Sequence, residues 1–419
     1  MSGSSQRPVS GRSTISLFYI LAIGAGVMRT FSVGFDIVAL NTFASNPIIY
    51  GLISQWVSFA ITLTLVVILS IKISREGKRR ALGYELDPDF GRISLLPSRP
   101  MLYLFIAGSF AGISTFFYYI LAGSTDASVV LPYGQLVIIY LLIGDLVAEK
   151  DTPTIIELQC VVSIMLGVML VGIEPGGFNV VTLLIVLLPM NVSSAVTTFL
   201  QRKTKRYELS EGLRVDSLNM RIWSLLFLNI IMTALSIPFI PPDGMNQIMQ
   251  SFDAGFWLMV GSSVATFFSL IMYIRALGRG TTAIVNSLSS ISVVLGIPMT
   301  LIGNFLLPGA FGGIASDSML WVLKIFGVTL VMMGVIALEA SDVRSLVIVN
   351  VEPQVGDILP ELFAIKGVES VSGLAGKHDY ILSIKSRSLS KARTKILHKI
   401  QKIPGVKQVN TLVILRDHR

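Results

Sequence analysis

The chain has 419 residues, of which 53% are hydrophobic and only 14% charged, and its mean hydropathy is +0.73. Ordinary soluble domains carry about 25% charged residues, so this balance excludes a soluble globular protein and points to a polytopic α-helical membrane protein. The single cysteine, Cys160, lies in an apolar run, which excludes a disulfide scaffold, and the histidines His378, His398 and His418 all fall beyond residue 343, which excludes a histidine-based metal or catalytic cluster in the apolar part. The net charge of +8 is equally uneven: residues 1–343 are almost neutral, whereas residues 344–419 hold 13 Lys+Arg against 6 Asp+Glu.

A hydrocarbon core about 30 Å thick needs roughly 20 apolar residues per helix. Residues 1–15 form a polar, disordered tail, after which runs of this kind recur ten times: Ser16–Leu40, Ile48–Ile73, Met101–Ala122, Ala127–Val147, Thr154–Val171, Val180–Leu200, Met220–Ile240, Ala254–Leu277, Thr281–Leu307 and Ser318–Leu338. The first run lacks a short apolar core followed by an Ala-x-Ala-like site, so it is expected to remain as a helix.

Loop charges set the orientation. The loops at 41–47, 123–126, 172–179, 241–253 and 308–317 contain no Lys or Arg, whereas the alternate segments collect 15, from Arg7 and Arg12 through the Arg75–Arg99 segment to Arg279. The positive-inside rule then places both termini in the cytoplasm, and it accounts for the basic loops without nucleic acid.

The two halves of the apolar region share a pattern. Tyr119-x-x-Ala122 followed by Thr125-x-Ala127 corresponds to Tyr273-x-x-Ala276 followed by Thr281-x-Ala283, and Met165–Val168 corresponds loosely to Met332–Val335. With five spans each, repeats of about 16–173 and 176–340 must insert with opposite topology, a five-plus-five inverted repeat. This arrangement, with the tight third-to-fourth turn and the Tyr-x-x-Ala-Leu ending at Tyr273–Leu277, resembles the EamA-like branch of the drug/metabolite transporter superfamily over about residues 16–340. The resemblance implies a secondary carrier exporting amino acids or similar small metabolites. The acidic residue usual after the ninth span is replaced by Asn304-Phe-Leu-Leu-Pro308.

No phosphate-cradling Gly-x-x-x-x-Gly-Lys-Ser/Thr occurs, so neither a nucleotide engine nor any other cofactor is expected, and no nucleophile–base set suggests an enzyme. Ionisable groups inside spans are costly and therefore functional candidates. Arg29 and Asp36 lie seven residues apart on one face of the first span, either as a substrate-carboxylate site with a counter-charge or coupling site, or as an ion pair that fixes packing. Tyr118, Tyr119, Tyr133, Gln135, Asn191, Tyr273, Asn286 and Ser287 complete the candidate substrate pathway, with interhelical hydrogen bonds as the other reading. Pro132 is expected to interrupt its helix, and Arg275, Arg221 and Lys324 to snorkel from span ends.

From Ser345 the pattern changes to short alternating segments. Strands are predicted at Ser345–Val351, Val368–Leu374, Asp379–Lys385 and Val406–Leu415, with helices at Ile358–Ile365 and Leu389–Ile400, a ferredoxin-like βαββαβ module over residues 344–419. Ile365-Lys-Gly-Val368, Gly376-Lys-His-Asp-Tyr380, Ile403-Pro-Gly-Val406 and Thr411–Leu415 resemble the effector-binding domain of the Lrp/AsnC regulators. The resemblance implies self-association through the sheet and an amino-acid effector held at Gly376, Lys377, His378 and Asp379, the backbone taking the carboxylate and Asp379 the ammonium; the other reading is a turn that serves assembly alone. The helix-turn-helix that would precede such a domain in a regulator is absent, so no nucleic-acid partner is expected. The whole chain is thus expected to be a multi-pass cell-membrane exporter of small molecules with a cytosolic sensing domain, or a membrane-anchored amino-acid sensor without transport.

Overall fold

The structure is a computed structural model; it describes residues 11–44, 46–75, 78–125, 127–149, 155–173, 180–210, 213–279, 282–311, 318–340, 343–352, 358–363, 365, 368–376, 378–386 and 397–413. The chain divides into two compact units, one made mainly of apolar helices and one holding the C-terminal sheet.

The helical unit contains α1 (Gly11–Thr42), α2 (Pro47–Leu69), α3 (Ser98–Ala122), α4 (Ala127–Gln135), α5 (Val137–Glu149), α6 (Ile155–Val171), α7 (Val180–Ile185), α8 (Ser193–Lys205), α9 (Ser217–Ser236), α10 (Gly244–Arg279), α11 (Thr282–Ser289), α12 (Ile291–Leu306) and α13 (Ser318–Ala340). Among the described residues, six helical segments are long and apolar enough to cross a membrane: Leu17–Thr42, Pro47–Leu69, Ser98–Ala122, Val180–Lys205, Ser217–Phe239 and Gly244–Arg279. Shorter apolar helices occupy Ser128–Gly144, Leu158–Val171, Ile291–Leu306 and Ser318–Gly334.

Several boundaries depart from the sequence expectations. α1 begins at Gly11, inside the expected tail, and residues 1–10 lie outside the described part. The second span ends at Leu69, because Ile71–Ile73 enter a hairpin of β1 (Lys72–Arg75) and β2 (Lys78–Ala81). The expected loop 241–253 is largely helix: α10 runs for 36 residues, about 54 Å, because its mixed polar and apolar N-terminal turns sustain a helix beyond the depth of a bilayer. The fourth span divides into α4 and α5 at Leu136, and the ninth into α11 and α12 at Ser290. A π-helical segment, Val186–Val192, separates α7 from α8 around Pro189, which has no N–H for the regular ladder.

Helix packing follows a paired pattern. α1 lies along α10 and α8 along α3; α3 packs on α9 and α10 on α2. Gly108 and Gly112 abut Ser224, Leu228 and Ile231 of α9, the close helix contact their spacing suggests. α6 and α13 meet where Gly167 and Gly327 each face the other's carbonyl, so close that a Cβ on either would come within about 2.5 Å of it.

One end of this unit is fastened by a buried polar cluster. The Lys205 ammonium at the end of α8 donates to Asp87 Oδ2 (2.8 Å), Asp89 Oδ2 (3.1 Å) and the Val215 carbonyl (3.0 Å), while Ser217 N donates to Asp87 Oδ2 (2.7 Å). Burial is the largest influence and would raise the Asp87 carboxyl, but the Lys205 charge and the hydrogen bonds from Lys205 and Ser217 together outweigh it and hold that group below the usual carboxylate range. Asp216 caps α9 by accepting from Asn219 N (2.7 Å), and burial pushes its carboxyl up to about 6 against those hydrogen bonds. Arg275 donates to the Leu86 carbonyl, so its guanidinium holds the segment 82–97 instead of reaching outward.

The second unit carries a four-stranded sheet of β5 (Val343–Val351), β6 (Val368–Gly373), β7 (Tyr380–Ser386) and β8 (Val406–Val413), with α14 (Leu359–Phe363) and α15 (Leu397–Gln401). Strand order is β6-β7-β5-β8 with every pair antiparallel, so β5 and β6 run parallel through the α14 crossover. The chain order strand, helix, strand, strand, helix, strand is the predicted one; residues 389–396 of the expected second helix and Ile414 and Leu415 of the expected last strand lie outside the described residues. Period-two alternation sends Val347, Val349, Leu382 and Ile384 to one face, where they pack with Ile358, Leu362 and Ile400.

Candidate functional site

The interrupted helices α4–α5 and α11–α12, expected as the fourth and ninth spans, meet at their breaks. α4 packs on α12 and α5 on α11, and the side chains joining them flank both interruptions: Asn286 Nδ2 donates to Gln135 Oε1 (3.2 Å), and Gln135 Nε2 donates to Ser292 Oγ (3.4 Å). The first break is not at Pro132, which stays inside α4, but one turn later. There the Tyr133 carbonyl, whose regular helical donor would be Val137 N, accepts from Leu136 N (3.3 Å) and from Asn191 Nδ2 (3.0 Å). Asn191 therefore replaces a missing backbone donor from within the π segment, its second N–H going to the Val186 carbonyl (2.7 Å). Irregular backbone at membrane depth is tolerable only with such partners.

Arg29 of α1 approaches this break. Its Nη2 would lie 2.9 Å from a Cβ on Gly134, so only glycine at that position admits the guanidinium so close to the backbone. Arg29 makes no hydrogen bond or ion pair among the described residues; its electrostatic neighbours are Tyr118 and Tyr273. It sits at the last turn of α4, where the negative end of the half-helix favours a cation by about 0.3–1 kcal/mol.

Asp36 is bound elsewhere. It is 4% exposed, and its carboxylate accepts from Tyr50 Oη (3.2 Å) and Tyr118 Oη (3.3 Å). The alternative of an Arg29–Asp36 ion pair is thus not formed: Tyr118 lies between the two charges, near Arg29 and bonded to Asp36. Tyr119 joins the same cluster through its neighbours: its ring packs edge-on against Tyr50 and Tyr118 (centroids 5.9 and 5.0 Å apart), and its hydroxyl accepts from Gln55 Nε2 (3.1 Å) and donates to Ser54 Oγ (3.4 Å). Tyr133 Oη donates to the Gly172 carbonyl (3.4 Å). The Ser287 side chain lies outside the described residues.

Sequence reasoning missed part of the surroundings. Tyr50, Ser54, Ser58 and Thr62 form a buried polar stripe on α2 at intervals of four, a pattern legible as a helix face. Ser32 of α1 hydrogen-bonds Ser262 (3.1 Å) and Thr266 (2.6 Å) of α10, extending the polar seam. Besides that of Arg275, two further expectations of snorkelling are overturned. Lys324 is 5% exposed and donates to Ser128 Oγ (2.8 Å) while lying over the Trp321 ring, because α13 packs this side inward. Arg221 is 4% exposed on α9, turned away from solvent by the helices beside it.

In the second unit the loop expected to hold an effector makes structural hydrogen bonds. Asp379 Oδ2 accepts from Val351 N (2.8 Å), Leu374 N donates to the Asp379 carbonyl (2.8 Å), and His378 Nδ1 lies 3.0 Å from Asn350 Oδ1. Gly376 has φ +151°, a conformation that favours glycine. Lys377 lies outside the described residues.

Residues 345–419 match the family described as the Lrp/AsnC ligand binding domain, and the C-terminal unit carries such a domain. A comparison with curated proteins found no match. A solved structure titled "Crystal structure of protein" shares 12% identity with a TM-score of 0.48, covering 76% of this chain and 94% of that one.

Proposed function

We propose that the chain is a secondary transporter that exports amino acids or similar small metabolites, with a C-terminal domain that senses an amino acid and self-associates. The observation that carries this reading is the meeting of two interrupted spans beside an arginine that has no ion-pair partner among the described residues; transport sites recur where discontinuous helices of inverted repeats face one another near mid-membrane. The paired packing supports ten spans in a five-plus-five inverted repeat: exchanging the halves turns the α1–α10 contact into α8–α3, turns α3–α9 into α10–α2, and places the break of the fourth span opposite that of the ninth. The drug/metabolite transporter resemblance agrees with this architecture. The basic loops support a cell-membrane orientation in which both termini are cytoplasmic.

In this reading Arg29 meets a substrate carboxylate, and Asp36 with its two tyrosines is the coupling site. Effector binding regulates the carrier only if its affinity differs between carrier states. The partly exposed sheet face bearing Leu346, Ile348 and Leu412 is the surface for a second copy. The test is efflux from proteoliposomes containing the full-length protein and loaded with the twenty common amino acids. Efflux of a subset above protein-free vesicles is the expected result; its complete absence, with amino acid still bound by the protein, favours the membrane-anchored sensor, for which the Lrp/AsnC match is the supporting observation.

A further inference from the structure

The break in the fourth span is approached by two polar groups that have nothing to bind among the described residues. One is the Arg29 guanidinium, packed against Gly134 without a hydrogen bond or ion pair. The other is Asn191 Oδ1, buried and without a hydrogen-bond partner. The orientation of that amide is not arbitrary: both carbonyls it touches, Tyr133 O and Val186 O, require N–H donors, so the NH2 group must face them and the oxygen must face away. A buried acceptor left unmatched costs about 1–3 kcal/mol, and an uncompensated cation costs more.

Both groups converge on one turn of α4, Asn191 at Tyr133 and Arg29 at the next residue. We infer that they are the two poles of a single substrate subsite, which takes a molecule with a carboxylate for Arg29 and an N–H donor for Asn191 Oδ1, the chemistry of an α-amino acid. This deepens the transport reading and rests on it. The pairing discriminates. A second carboxylate would face the lone pairs of Asn191 Oδ1 and be repelled, an amine without a carboxylate would leave Arg29 uncompensated, and a carboxylate without an N–H would leave Asn191 unmatched. Gly134 belongs to the same device, since any larger residue displaces the guanidinium from the turn.

The experiment uses proteoliposomes of the full-length protein. Every common amino acid that is moved is compared with its decarboxylated amine and its deaminated acid, and the series is repeated with Arg29→Gln and Asn191→Leu. Loss of either charge-assisted contact is expected to weaken transport about tenfold or more, so each analogue should fall at least that far below its parent, with Arg29→Gln erasing discrimination against the amine and Asn191→Leu that against the deaminated acid. The wild-type analogue series decides the matter even if a variant fails to fold. If amino acids move and either analogue moves equally well, the subsite is wrong while the transport reading stands. If amino acids and both analogue classes all fail to move, the subsite falls together with the transport reading.

Discussion

Lys205→Met isolates the cost of a buried charge in the cluster that fastens segment 82–97. Lys205 and Asp87 have side-chain exposures of 7% and 2%, and their groups are 2.8 Å apart; Asp89 is 26% exposed and stays partly hydrated without its partner. Removing one member of a buried pair costs about 3–5 kcal/mol, chiefly because the remaining charge is stranded. Asp87 retains the Ser217 N–H, which places the expected loss near the lower end, about 3 kcal/mol. The pH dependence gives a second signature. In the wild type the Asp87 carboxyl is lowered, so its contribution is present above the ordinary carboxylate value of about 3.9 and disappears only as pH falls through the lowered folded value. In the variant, burial acts on Asp87 against the Ser217 hydrogen bond alone and raises it, so acidification neutralises the stranded charge. Reversible unfolding by SDS titration in mixed micelles at pH 7.5 and 4.5 should show a deficit that narrows at the lower pH. A loss below about 1 kcal/mol, or a gap independent of pH, refutes the assignment of the pair as a buried, mutually dependent unit.

Asp216, raised by burial to about 6, has the opposite sign: its contribution is fully present below the ordinary carboxylate value and is lost as pH rises through about 6. Asp216→Asn, which preserves a good helix cap, should therefore remove a stability decline of about 2 kcal/mol between pH 4 and 7 in the same titration. Gly134→Ala adds a Cβ where the Arg29 Nη2 would lie at 2.9 Å, and should cut amino-acid efflux at least about tenfold while leaving unfolding unchanged or raising stability by up to about 1 kcal/mol. Leu382→Ala, at a fully buried position of β7, should cost the C-terminal domain about 2–5 kcal/mol, seen as accelerated amide exchange in its strands with the helical unit unaffected.

The two units differ in how legible they were. In the sheet, alternation places four strands within about two residues, since one buried face imposes period two. In the helical unit, apolar runs locate the helices but conceal their interruptions. The residues of Val129–Ile143 do not by themselves place a break at Leu136, where the freed Tyr133 carbonyl is met by Asn191 from 58 residues away. Pro132 draws attention to the correct span and the wrong turn. The π segment is better signalled, with Pro189 two residues before Asn191, yet a helical window averages it away. The length of α10 was missed because Asn246, Gln247 and Gln250 suggest a loop by polarity, although their side chains are compatible with a helix emerging into water.

Of the ten pathway residues expected, the described side chains of eight join one of two networks at the α1 charges or the helix breaks: Arg29, Asp36, Tyr118, Tyr119, Gln135, Asn191, Tyr273 and Asn286. The spacing of Arg29 and Asp36 invites an ion pair, but seven residues along a helix separate their backbones by about 10.5 Å, and each charge meets a nearer environment first. Asp36 finds two phenols, and Arg29 the end of a half-helix. The second solution is incomplete by its nature. A helix terminus offsets about 1 kcal/mol for a nearby cation, against several for removing that cation from water, so the guanidinium remains the least compensated group of the network. An incoming carboxylate can supply the remainder, and an α4 that ran unbroken through Val137 would offer no helix end beside Arg29. On the proposed transport reading, the interruption of the helix and the charge of the substrate are therefore consequences of the same local structure.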